Sequence, residues 1–129
     1  MTLLIDTHCL LWWLSEPESL RQAALSLLRH AENTVLLSPV FSWKIAIKHS
    51  IGRLPLPEKP EEFVSSRMEG DGLVSLPIHH SHTLKTADLP FHHNDPFNRL
   101  LIAQAIVEEI PIMTADSKFD LYDVEVIPA

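Results

Sequence analysis

Three aspartates stand where an α/β protein can do chemistry. Asp6 ends the apolar run Leu3-Leu4-Ile5, Asp116 follows the run from Ile110 to Thr114, and Asp95 opens the long apolar segment 95–109. In open α/β sheets, ligands bind outside the carboxyl ends of the strands. Asp6 and Asp116 both fall at such ends, and Asp95 begins a helix that leads into the strand before Asp116. Carboxylates gathered at one edge repel one another unless a cation lies between them, and hard oxygen ligands suit Mg²⁺ or Mn²⁺. In phosphoryl chemistry such ions position the phosphate and activate water. Asp6 is the most telling of the three, because an acid closing a buried apolar strand is costly without a partner.

A lysine complicates this picture. The stretch SPVFSWKIAIKHSIGRL, residues 38–54, reads as a helix whose apolar residues Val40, Trp43, Ile47, Ile51 and Leu54 recur at three- and four-residue spacing. Lys44 lies within that stripe, which places an ammonium group along the expected buried edge.

The elements that must position these residues follow from periodicity and breakers. TLLID is read as a buried strand and THCLLWWL as a helix entering from it. EPESLRQAALSLLRHAE is read as one amphipathic helix, with Leu20, Ala24, Leu27 and Leu28 on one side. TVLL is a second strand, and prolines at 55, 57 and 60 end the helix after it. EEFVSSRMEGDG is a helix closed by glycine, LVSLPI a third strand, and HHSHTLKTADLP a short helix and turn. DPFNRLLIAQAIVEE is a strong helix with Asp95 as N-cap and Pro96 at its first position. IPIMT is a fourth strand, ADSKFDLYD a turn or short helix, and VEVI a last strand. Alternating strands and helices imply an α/β fold with a mainly parallel sheet of four to five strands, in one domain spanning 1–129.

Composition narrows the function classes. The chain has 129 residues, of which 46% are hydrophobic and 21% charged, as a folded domain requires. Its net charge of −7 argues against nucleic-acid binding by bulk electrostatics, though not against a local basic patch. The single cysteine, Cys9, forbids an internal disulfide and is read as a small core residue, which points to the reducing cytoplasm. The apolar N-terminus carries Asp6 and His8 and lacks a basic start, so it is not read as a signal peptide, and no membrane association is expected.

Four blocks carry a family likeness: LLIDTHCLLWWL, SPVFSWKIAIKHSIGRL, LPFHHNDPFNRLLIAQA and PIMTADSKFDLYDVEVI. Together, in this order and spacing, they resemble the PIN-domain proteins, most closely the VapC-like toxins of bacterial toxin–antitoxin pairs. The resemblance implies a three-layer α/β/α sandwich, Mg²⁺- or Mn²⁺-dependent endoribonuclease activity on RNA, homodimerisation, and inhibition by a cognate antitoxin protein. Asp6 matches the family's first acid and Asp116 its last. The second is a glutamate in a pattern like S-x-W-E-I-A-I-K, and here Lys44 stands in its place. The third falls in D-P-F-D-R-L-L-I-A. Here Asp95 is kept and Asn98 replaces the second aspartate.

The resemblance thus implies Asp6, Asp95, Asn98 and Asp116 as the surviving metal ligands. Lys44 is expected to occupy the metal position and to pair with Asp6 and Asp116. Asn98 offers one amide oxygen, a weaker ligand than carboxylate. Two readings follow: a metal-dependent endoribonuclease by descent, weakened at Lys44 and Asn98, or a catalytically dead PIN domain that acts by dimerising and binding its antitoxin.

Other features are secondary. Lys48, Arg53 and Arg99 are candidate phosphate contacts, and His93 matches a family position that orients the loop near the site. Eight histidines, including HHSH at 79–82, invite a zinc reading. Adjacent histidines on a helix point about 100° apart, and no second cysteine completes a thiolate site. Trp12 and Trp13 cannot share one narrow buried stripe, so one is available to an interface. With three glycines and none in the turn directly after the first strand, there is no glycine-rich phosphate loop.

Overall fold

The computed structural model describes residues 1–129. Its sheet has five strands: β1 (Thr2–Ile5), β2 (Thr34–Leu37), β3 (Val74–Ser75), β4 (Ile112–Thr114) and β5 (Val126–Pro128). All neighbours pair in parallel, in the order β3-β2-β1-β4-β5. Six α-helices connect them: α1 (Thr7–Ser15), α2 (Gln22–Arg29), α3 (Pro39–Ser50), α4 (Pro60–Asp71), α5 (His80–Lys85) and α6 (Pro96–Glu108).

Side chains alternate across a strand, so each strand feeds two cores. Leu3 and Ile5 of β1, with Met113 of β4, join a cluster containing Leu10, Leu28 and Phe63 from α1, α2 and α4. Leu4 and Ile112 join the opposite cluster with Leu101 and Ile102 of α6 and Phe119. The result is the expected three-layer sandwich. Helix α3 feeds both cores, Val40 into one and Phe41 and Ile45 into the other. No helix is long and apolar enough to cross a membrane.

Chain direction across the sheet decides where a site can form. From β1 the chain moves outward through β2 to β3, then returns to place β4 on the other side of β1. The strand order reverses between β1 and β4, and the crevice outside that pair of carboxyl ends is where open α/β sheets take ligands. Asp6 directly follows β1 and Asp116 lies two residues beyond β4.

Several boundaries differ from expectation. The 16–32 segment is not one helix: a 3₁₀ turn at Pro17–Ser19 precedes α2, and the backbone is extended at Leu20 and Arg21 between them. Helix α3 stops at Ser50, ahead of Gly52 in the left-handed region at φ 74°, so Leu54 lies outside it. The stripe itself was misjudged. Trp43, Ile47 and Ile51 are exposed, and the buried face is Val40, Phe41 and Ile45. Strand β3 covers only Val74 and Ser75, at the sheet edge.

Candidate functional site

The sheet brings Asp6 and Asp116 together through a third residue. Thr114, the last residue of β4, donates its hydroxyl to Asp6 Oδ2 and accepts the Asp116 backbone N–H at 3.0 Å. Asp6 is buried, and its other oxygen caps α1 by accepting the Cys9 N–H at 2.8 Å. It belongs to none of the ion pairs in the structure, and both its oxygens are held by hydrogen bonds. Sequence reasoning missed Thr114. Its signal was available: a hydroxyl at the end of the strand beside β1, two residues ahead of an acid.

Asp116 is held from the other side. Its Oδ1 accepts the Lys118 N–H at 3.0 Å, and its Oδ2 lies 2.8 Å from His93 Nε2. Partial burial works against the charged form. The Lys118 N–H, the His93 ring and the Lys118 charge outweigh it and hold the carboxyl below its ordinary range. His93 Nδ1 accepts the Asp95 N–H at 3.2 Å, which leaves the ring proton on Nε2, facing Asp116. The Asn98 amide lies 3.0 Å from the same Nε2. The amide atom at that distance is the nitrogen, Nδ2. His93 therefore ties Asp116 to the start of α6.

The remaining candidates divide. Asp6, Asp116, Lys44, Lys48 and Asn98 line one cleft of about 320 Å³. Asp95 does not line it. Its Oδ1 caps α6 by accepting from Phe97 N–H at 2.8 Å and Asn98 N–H at 3.4 Å, and its Oδ2 faces Lys44 Nζ at 3.7 Å. The expected pairing of Lys44 with Asp6 and Asp116 is thus corrected: Lys44 pairs with Asp95.

Arg99 is also corrected. It is buried, and its guanidinium donates to the carbonyls of Thr86, Leu89, Pro90 and His93 at 2.8–3.3 Å while lying 4.2 Å from the Phe91 ring centroid. Those bonds commit it to the loop rather than to phosphate. Arg53 is exposed in the turn after α3, outside the cleft lining. Cys9 is fully buried; burial first, then the Asp6 charge, pushes its thiol well above the ordinary range, which suits a core residue. His82 of the HHSH run is buried too, its Nε2 2.9 Å from Glu108 Oε2.

Whether these residues suit a divalent cation follows from their donors. Mg²⁺ demands near-octahedral oxygen coordination. Only two carboxylates, Asp6 and Asp116, line the cleft, and Asp95 is turned away to a helix cap and Lys44. No three His, Cys, Asp or Glu residues gather closely enough to hold a metal ion. Two ammonium groups line the same cleft and repel a dication. The residues present do not fit Mg²⁺ or Mn²⁺.

Comparison with known proteins agrees with the geometry. The PIN domain family profile matches residues 3–125. Ribonuclease VapC16 of Mycobacterium tuberculosis (strain ATCC 25618 / H37Rv) is 36% identical over 58 residues, which are 45% of this chain and 41% of that relative. The match therefore spans under half the length of the curated relative. Among solved structures, VapBC2 from Rickettsia felis, bound to a DNA fragment from their promoter, superposes with a TM-score of 0.75 at 13% identity, covering 100% of this chain and 99% of the other. DNA-bound VapBC from Salmonella typhimurium gives 0.70 at 14% identity, covering 99% and 98%. At these identities the likeness is one of fold.

Proposed function

The chain belongs to the PIN-domain family, and from that premise we propose that it is a VapC-like ribonuclease toxin by descent, whose cleft receives an RNA phosphodiester. The observation that carries the reading is the convergence of Asp6 and Asp116 on one cleft at the strand-order reversal, joined through Thr114. In that cleft Lys48 offsets phosphate charge, and Asp116, its carboxylate fixed by His93 and the Lys118 N–H, supplies a positioned negative charge at the end of β4. The family's metal chemistry has no matching ligand set here, and no step is drawn through it.

A second reading has its own support. The Lys44–Asp95 pair and Asn98 sit where the family pattern has acids, which favours a catalytically dead PIN domain acting by dimerisation and antitoxin binding. Two further elements belong to either reading. The solved neighbours named above are VapBC structures, and another neighbour is a member of the VapBC family of toxin–antitoxin systems, which supports a cognate antitoxin as partner in the cytoplasm. Exposed Trp43 packs edge-on against Phe97 beside Pro96 and Leu100, an apolar surface that supports a homodimer contact.

The test is titration calorimetry with Mg²⁺ and Mn²⁺, beside an RNA-cleavage assay, on this chain and on the Lys44→Glu/Asn98→Asp variant. The chain itself is expected to bind neither ion. The variant should bind both and cleave about 10²–10⁴ times faster, the range expected when a positioned acid–base group is restored. A variant that gains neither property sinks the reading that Lys44 and Asn98 alone keep metal and cleavage out of this cleft. Ion binding and cleavage by the unchanged chain would remove the dead-domain reading.

A further inference from the structure

The cleft has an aromatic wall that the phosphate chemistry leaves unused. His8 and Trp12, one turn apart on α1, both line it, with ring centroids 4.6 Å apart and planes at 69°. His8 is exposed and Trp12 half-buried, the indole resting against the core on one side. The exposed His8 ring is the member of the pair that a third planar group can reach from solvent. The same cleft holds Lys48, which lies outside every ion pair of the structure, and Lys44. Ring face and ammonium in one pocket match the two halves of a nucleotide: the base stacks on the aromatic, and the phosphate meets the cation. A cationic peptide side chain would meet both lysines as like charges.

We propose that His8 and Trp12 form a nucleobase subsite, in which an unpaired base of single-stranded RNA stacks while the adjoining phosphate lies toward Lys48. This deepens the RNA-binding reading and rests on it. The subsite makes binding depend on a base being present, which a phosphate site alone does not.

The experiment measures anisotropy of two fluorescein-labelled ligands on the full chain: a single-stranded oligoadenylate RNA, and an abasic ribose-phosphate oligomer of equal length. The unchanged chain should bind the oligoadenylate about 10-fold or more tightly than the abasic chain. His8→Ala and Trp12→Leu should erase most of that preference and leave abasic binding unchanged. Trp12→Phe, which keeps a stacking face, should retain much of it. Lys48→Ala should weaken both ligands alike. Because Trp12 also touches the core, the exposed His8 decides the matter if Trp12→Leu fails to fold. If His8→Ala and Trp12→Phe bind both ligands like the parent, and the parent shows no base preference, the subsite is refuted while RNA binding stands. If the parent binds neither ligand, the RNA reading falls and the subsite with it. If His8→Ala spares RNA but abolishes antitoxin binding, the wall is a peptide contact and the proposal is overturned.

Discussion

Lys44 and Arg99 both meet Asp95, and they could hardly differ more. Lys44 reaches the Asp95 carboxylate at 3.7 Å from a side chain that remains 21% exposed, in a cleft open to solvent. Arg99 donates its backbone N–H to the Asp95 carbonyl, then buries its guanidinium among four carbonyls of the loop before α6. Both are cations beside a candidate site, yet only one is free to act on a ligand. What separates them is donor satisfaction. A guanidinium with four protein acceptors has little left for phosphate, whereas an ammonium with one long ion pair keeps most of its hydrogen-bonding capacity.

The largest effect should come from breaking the satisfied cation. Arg99→Ala leaves four carbonyls in the 86–93 loop without their donor, and an unsatisfied buried polar group costs about 1–3 kcal/mol. A loss near 3 kcal/mol is expected, allowing for water reaching some of them. Arg99→Lys should rescue little, because a point charge cannot reach four acceptors arranged around a planar fork. Urea unfolding checks both. A loss below about 1 kcal/mol for Arg99→Ala would show that the loop holds without this staple, and would return Arg99 to the list of phosphate contacts.

Thr7 offers the opposite case, a buried polar group with no partner. It lines the cleft beside Asp6, and its hydroxyl makes no hydrogen bond. Thr7→Val removes that hydroxyl at constant shape, at a helix position where the two residues have similar propensity. The expected change is a stabilisation of about 1 kcal/mol, read from the unfolding midpoint. Destabilisation would mean that the hydroxyl has a partner in solution, such as a bound water in the cleft.

The sequence displayed these contrasts unevenly, for physical reasons. Asp6 and Asp116 were legible because an acid at the end of an apolar strand is an anomaly by itself. The cap at Asp95 was legible because Asp-Pro ahead of an apolar run is a local signal, satisfied within three residues. The face of α3 was not. Val40, Phe41, Trp43, Ile45, Ile47 and Ile51 are apolar nearly all round the helix, so spacing supports more than one stripe, and only the sheet selects Val40, Phe41 and Ile45. Arg99 was misread because its partners are backbone carbonyls, which have no letter in the sequence. Thr114 was overlooked because its role exists only once β1 and β4 lie side by side.

The smallest stability change belongs to Lys44, and it sharpens the contrast furthest. Ion pairs at this exposure contribute about 0–1 kcal/mol, so Lys44→Ala should move the melting transition little. Lys44→Glu is different: it sets a second carboxylate near Asp95 and removes the cation that offset it. Without divalent ions, Lys44→Glu/Asn98→Asp should therefore melt below the parent. If those positions then complete a cation site, Mg²⁺ at 100 times its dissociation constant should restore about 2.7 kcal/mol, since a ligand bound only by the folded state stabilises it by mass action. The parent and Lys44→Ala should show no such response. Melting curves with Mg²⁺ and with a chelator give the answer. A double variant that melts identically in both would mean that charge alone, without the right cradle of oxygens, does not recreate the metal site, and that the divergence of this cleft runs deeper than two side chains.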